Sequence, residues 1–247
     1  MTPTLPATAE QRTPIDTMRK TSLTAGALYL LTFVSIPTLF LYEPVREAGY
    51  IIGSGPDTAV LVGGILEFIV ALACIGTAVV LYPVVRRQSE SFAMGFVGAR
   101  VLESAAILAG IACLLTIVTL RQGEAGPESL IAGQTLIGLY DRFFFLGQSM
   151  LPVANALLLG TLLYRSRLVP RVLPVLGLIG APVLLASNAA ILFGLTDRIS
   201  TTAALAALPI AAWEFSLGVY LLVKGFRPSA IAELYPVPVA DVQPVAV

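Results

Sequence analysis

Residues 59–82 read AVLVGGILEFIVALACIGTAVVLY, an unbroken apolar run with a single charge, Glu67. As an α-helix this run is about 36 Å long, more than the roughly 30 Å hydrocarbon core of a bilayer. Lipid offers no partner to a free N–H or C=O, so a segment of this kind must be helical. The run therefore sets the fold class, and the rest of the chain is read outward from it.

Comparable runs recur on both sides. Spans are expected at Leu23–Tyr42, Ala59–Val85, Phe92–Leu120, Phe143–Tyr164, Val172–Leu195 and Ala203–Val223. Ser129–Tyr140 (SLIAGQTLIGLY) either begins the fourth span or lies as a short interfacial helix. Composition agrees: 57% of residues are hydrophobic and 12% charged, about half the charged fraction of a soluble domain. The expected fold is an all-α, polytopic transmembrane bundle of six spans. The loops on the side of the termini carry ten Lys and Arg (Arg12, Arg19, Lys20, Arg86, Arg87, Arg165, Arg167, Arg171, Lys224, Arg227). The other side carries four (Arg46, Arg121, Arg142, Arg198). By the positive-inside rule both termini are then cytoplasmic. The chain divides into a disordered tail at 1–20, a six-helix domain at 21–227 and a second disordered tail at 228–247. The first apolar run is longer than a signal-peptide core and is read as a retained span.

Several function classes fall away. The chain has no histidine, which removes most zinc, haem and catalytic-triad chemistry. A formal net charge of zero gives no reason to expect a nucleic-acid partner. No nucleotide loop or nucleophile elbow occurs, no lysine lies in a span, and no cofactor or metal is expected. Cys74 and Cys113 both sit in apolar runs and read as buried thiols.

What remains is polar residues at membrane depth. Glu67, Glu103 and Glu214 lie inside spans, with Arg100 a turn before Glu103. Three unpartnered carboxylates would cost on the order of 8–10 kcal/mol, comparable to the stability of a whole domain. They must face one another, a wet cavity or Arg100, or carry a proton. Counting residues from the span ends places Arg100, Glu103, Asn155 and Glu214 in one layer near mid-membrane. Glu67 and Asn188 form a second layer nearer the outer face. Gln148 is seven positions from Asn155 and extends the polar line outward, while Trp213 packs on the layer or donates its N–H to it. These eight residues (Glu67, Arg100, Glu103, Gln148, Asn155, Asn188, Trp213 and Glu214) are the candidate ligand-binding or polar-core set. Pro152, Pro182 and Pro209 precede three of them and free helix carbonyls nearby.

Four phrases also carry a family resemblance: DTAVLVGGILEFIVALACIGTAVVLYPVVRRQSE from Asp57, GARVLESAAILAGI from Gly98, LPVANALLLGTLLYRSRLVPRVLPVLGLIGAPVLLAS from Leu151 and LPIAAWEFSLGVYLLVKGFRPS from Leu208. Together they resemble a bacterial six-helix integral membrane family, number 4386 among the domains of unknown function. The resemblance runs from about Thr21 to Ser229 and implies the same topology, in the bacterial inner membrane. Glu67, Arg100, Glu103, Asn155 and Glu214 match the residue types of the family pattern. That pattern often has His-Asp where this chain has Tyr140-Asp141. The family brings no activity.

Three functions fit these residues. One is a binding or transport site for a small solute or proton, for which a homodimer is one arrangement because six spans are few for a carrier. The second is a structural or regulatory membrane protein whose buried charges specify helix packing. The third, with least support, is a lipid-acting enzyme using a glutamate as acid or base. Catalytic residues are not assigned, and the one sure partner is the lipid bilayer.

Overall fold

The computed structural model describes residues 14–123 and 126–236, and among these every regular element is a helix, without a strand. Six helices are long and apolar enough to cross a membrane. The first is α1 (Pro14–Leu31), continued through a tight turn at Thr32–Ser35 into α2 (Thr38–Leu41). The second and third are α3 (Thr58–Val85) and α4 (Glu90–Gln122). The fourth joins α5 (Ser129–Phe144) to α6 (Leu151–Ser166), and the last two are α7 (Val172–Leu192) and α8 (Thr201–Val223). A short α9 (Pro228–Leu234) follows.

Each span packs on its sequence neighbours, and the last closes on the first: α1 on α3, α3 on α4, α4 on α6, α6 on α7, α7 on α8, and α8 on α1. A ring of six helices has an interior to fill. At the end that holds the termini it is filled by Tyr29, Phe96, Leu159, Trp213 and Leu217, all fully buried. At the other end a second cluster, including Tyr42, Ile51, Leu114, Ile117 and Tyr140, packs only between α2, α3, α4 and α5. The remaining part of the ring is left open there.

Two glycines make close approaches possible. A Cβ on Gly63 would lie 2.3 Å from the Tyr42 ring, and one on Gly177 would lie 2.5 Å from Trp213. Each glycine is the slot for an aromatic ring of another element, in keeping with the role of small residues between membrane helices.

The structure refines the boundaries read from sequence. The first span is broken at Thr32–Pro37, because Pro37 has no N–H to continue the ladder. Ser129–Tyr140 is continuous with the fourth span and forms one 38-residue helical stretch with it. That stretch is about 57 Å long, so α5 extends beyond hydrocarbon, alongside the far end of the 33-residue α4. Within it, Phe145–Met150 is a π-helical turn. Pro152 offers no donor to the Gln148 carbonyl four residues earlier, so the ladder widens there.

Both expected tails begin differently from the sequence reading. α1 starts at Pro14, inside the 1–20 stretch, and α9 occupies the start of 228–247. Pro228 suits the first turn of a helix, and the spacing of Ala230, Ile231 and Leu234 gives α9 one apolar face, packed on the core. Tyr235 adds a hydrogen bond to the Pro83 carbonyl at 3.2 Å. The expected disorder of 1–13 and 237–247 concerns residues outside those described.

Candidate functional site

Arg100, Glu103 and Glu214 converge at the centre of the ring. One Arg100 nitrogen donates to Glu103 Oε2 at 3.0 Å, and another donates to Glu214 Oε1 at 3.0 Å. The first contact is local: positions three apart on α4 share a face. The second crosses the ring to α8. Asn155 from α6 donates to Glu103 Oε2 at 2.7 Å, and Cys74 from α3 lies 3.5 Å from the guanidinium. Arg100 is 1% exposed, and its charged plane faces the Tyr29 ring at 5.2 Å. A fully buried arginine between two carboxylates is held by charge-assisted hydrogen bonds, the strong kind. The carboxylates are not equal. Glu103 is buried and doubly bonded, whereas Glu214 accepts from Arg100 alone among the described residues and is only partly buried.

A cavity of about 730 Å³ rests on this triad. Arg100, Glu103, Glu214 and Cys74 form its floor. Phe33, Ile36, Val70, Leu184 and Ile210 stand among its walls, and Gln148, Asn188, Arg198, Ser200 and Thr201 add polar groups towards its mouth. Glu214 lies thirteen residues into α8, so the floor is about 20 Å below the mouth. The mouth is at the end of the bundle opposite the termini. The break in the first span contributes Ile36 and Leu39 to the wall.

Across α3 stands a second buried carboxylate, of different character. Glu67 is 1% exposed and accepts from Tyr140 at 2.9 Å, Tyr42 at 3.3 Å and Gln148 at 3.3 Å. All three donors are neutral. Tyr42 reaches it through the slot over Gly63.

An ionic band lies at the mouth. Asp141 accepts from Arg46 at 2.9 Å and from Arg198 at 2.8 Å, tying the α2–α3 loop and the α7–α8 loop to α5. Arg121 pairs with Asp57 at 2.6 Å and with the Gly53 and Gly55 carbonyls. Burial alone would raise the Asp57 carboxyl. Hydrogen bonds from Gln122 and Tyr50 and the Arg121 charge overcome this and hold it below the ordinary carboxylate range.

The sequence-derived layer of Arg100, Glu103, Asn155 and Glu214 is thus brought together, although Asn155 sits behind Glu103 and does not line the cavity. The other candidates are placed differently. Gln148 bonds Glu67 instead of extending a line from Asn155, because the π-turn shifts its direction relative to α6. Asn188 does not join Glu67 and instead donates to the Ser149 carbonyl at 2.8 Å, within the π-turn whose ladder is widened. Trp213 is fully buried against Gly177, and its N–H has no partner among the described residues. Sequence reasoning missed Tyr42 and Tyr140 as the ligands of Glu67, and the pairing of Asp141 with two arginines. The available signal was Tyr140-Asp141 itself, adjacent polar residues at a span's edge where the related pattern has His-Asp.

Among the described residues no group of three or more His, Cys, Asp or Glu is arranged to hold a metal. The sequence model of the family described as Domain of unknown function (DUF4386) matches residues 24–225. No curated protein matches the chain, and no solved structure matches it.

Proposed function

We propose that this chain, which belongs to the DUF4386 family of domains of unknown function, binds a small solute within the membrane, in the cavity floored by Arg100, Glu103 and Glu214. The observation that carries this reading is the cavity's union with an ion cluster. A void of about 730 Å³ is in the range of small-molecule sites, mostly apolar with a few convergent polar groups. Buried charges serving only to hold helices together would be expected in a sealed interface.

A proton is the second occupant in this proposal. One arginine faces two carboxylates, so the floor carries one negative charge too many when both are ionised. A proton or a bound solute relieves that excess, which makes binding proton-linked. The ten-to-four distribution of Lys and Arg supports cytoplasmic termini, and the mouth then faces outward from the inner membrane of a bacterial cell. Transport by such a site requires a second, inward-open state, for which assembly as a homodimer is one route. The structural reading has its own support at Glu67, whose neutral donors complete a closed centre.

The test is solute-dependent thermal stabilisation of the full chain in lipid nanodiscs, screened with small amphiphilic molecules. Ala207→Trp fills the cavity wall and leaves the floor intact. Stabilisation by at least one compound, absent in the Ala207→Trp protein, is the expected result. Stabilisation that survives the filling variant would place the binding elsewhere and remove the proposal.

A further inference from the structure

Resting on that reading, we infer that the solute is a monovalent organic cation, a protonated amine on an apolar body, seated with its N–H groups on Glu214. Three observations lead there. The first is the charge of the floor. From α4 it is faced by Arg100 and Glu103, from α8 by Glu214, from α3 by Cys74 and from α1 by Tyr29. α6 contributes the neutral Asn155, and α7 lines the cavity with Leu184, Ser187, Asn188 and Ile191. Among the described residues no second cation stands at the floor to balance the second carboxylate.

The second observation is where the free acceptor lies. Glu103 accepts from both Arg100 and Asn155 on Oε2, and its side chain in the floor is half as exposed as that of Glu214, 7% against 14%. Glu214 Oε1 is taken by Arg100, while its Oε2 has no donor among the described residues and belongs to a residue that lines the cavity. A donor arriving through the mouth meets this oxygen. An anion would instead have to displace a glutamate from Arg100, exchanging one anion for another at no gain in charge balance.

The third is the wall. Phe33, Val70, Leu184 and Ile210 give the wall a mostly apolar surface, with polar groups such as Ser187 and Asn188 between, which suits a largely hydrocarbon or aromatic body. The mouth does not reverse the sign of the site. Arg46 and Arg198 share Asp141 and leave one positive charge there, but these side chains are 22–31% exposed. They stand at the mouth, about 20 Å above the floor by helix rise, where solvent screens them.

The experiment uses a phenylalkyl body with three heads: 4-phenylbutylamine, 4-phenylbutanol and 4-phenylbutyrate, the last with one methylene fewer before its head. Each is titrated by calorimetry at neutral pH into the full chain in nanodiscs, with empty nanodiscs subtracted. The amine is expected to bind about tenfold or more tighter than the alcohol, the gain of one hydrogen-bonded charge, with the butyrate weakest. Glu214→Gln should reduce the amine to about the level of the alcohol. Should that variant fail to fold, Ala204→Phe narrows the cavity with every charge in place and must weaken all three. Equal binding of amine and alcohol, or a preference that survives Glu214→Gln, overturns the cation assignment while leaving the cavity as a binding site. Absence of binding by all three overturns both.

Discussion

Glu67 and Glu214 are both glutamates in the middle of apolar helices, but they solve the problem of burial in opposite ways. Glu67 is surrounded by neutral donors from three other elements and is sealed. Glu214 leans on a shared arginine and leaves one oxygen toward a void. The first arrangement gives a donor to each carboxylate oxygen, while the second leaves one oxygen without a donor among the described residues. Residue type is the same at both sites and both lie at membrane depth, so neither property identifies the functional one. Whether the surrounding donors close the account does.

The largest expected effect tests the shared arginine. Arg100→Met leaves two buried carboxylates with no cation, and loss of one partner from a buried ion pair costs about 3–5 kcal/mol. The full chain should lose most of its thermal stability in detergent. Adding Glu103→Gln and Glu214→Gln to the same protein should recover much of the loss. A protein unmoved by Arg100→Met would show that the triad is not buried as described.

Next comes the sealed centre. Glu67→Leu strands the hydroxyls of Tyr42 and Tyr140, at about 1–3 kcal/mol for each unsatisfied group. The variant should be destabilised by about 2–4 kcal/mol by thermal melting. Binding in the cavity should be unaffected wherever folding is retained. Glu214→Gln should show the reverse pattern, with stability within about 1 kcal/mol of the parent, since the amide still accepts from Arg100, and the preference for the amine lost. If Glu67→Gln abolished that preference and Glu214→Gln did not, the roles assigned to the two centres would be exchanged.

The smallest effect lies where the α2–α3 loop meets the end of α4, outside hydrocarbon. The Asp57 carboxyl is held low by its donors and by Arg121. Its contribution to stability is therefore complete above about pH 4 and fades as pH falls through the lowered folded value. Asp57→Asn should cost about 1 kcal/mol near neutrality, because the amide oxygen can still accept from Arg121 and Tyr50. It should also flatten the acid limb of the stability profile, measured as melting temperature from pH 6 to pH 3. An unchanged acid limb would show that the clamp is not formed.

Much of this was legible in the chain. Run length and hydropathy give six spans because lipid imposes one backbone solution. Counting 1.5 Å per residue brings Arg100, Glu103, Asn155 and Glu214 to one depth, where the structure joins them. Depth alone fails for Asn188 and Gln148, since two residues at one level can face different neighbours. The π-turn before Pro152 decides which way Gln148 points, and no periodicity shows it. Tyr42 finds Glu67 only because Gly63 leaves a slot, a relation between separate elements. The cavity is the part least visible in sequence, for it depends on the break at Thr32–Pro37 and on how the ring closes.

The contrast between the open and the sealed glutamate can be measured directly by thiol accessibility. With Cys74 and Cys113 replaced by alanine, Ala211→Cys and Gly64→Cys each place one thiol three residues before its glutamate, the first on the cavity wall and the second against Ile111. Both proteins, folded in nanodiscs, are treated with a small water-soluble thiosulfonate, and modification is counted by mass spectrometry. The thiol at 211 should react in the folded protein, and the thiol at 64 only after denaturation. An unreactive 211, or a 64 that reacts as fast, would contradict the account.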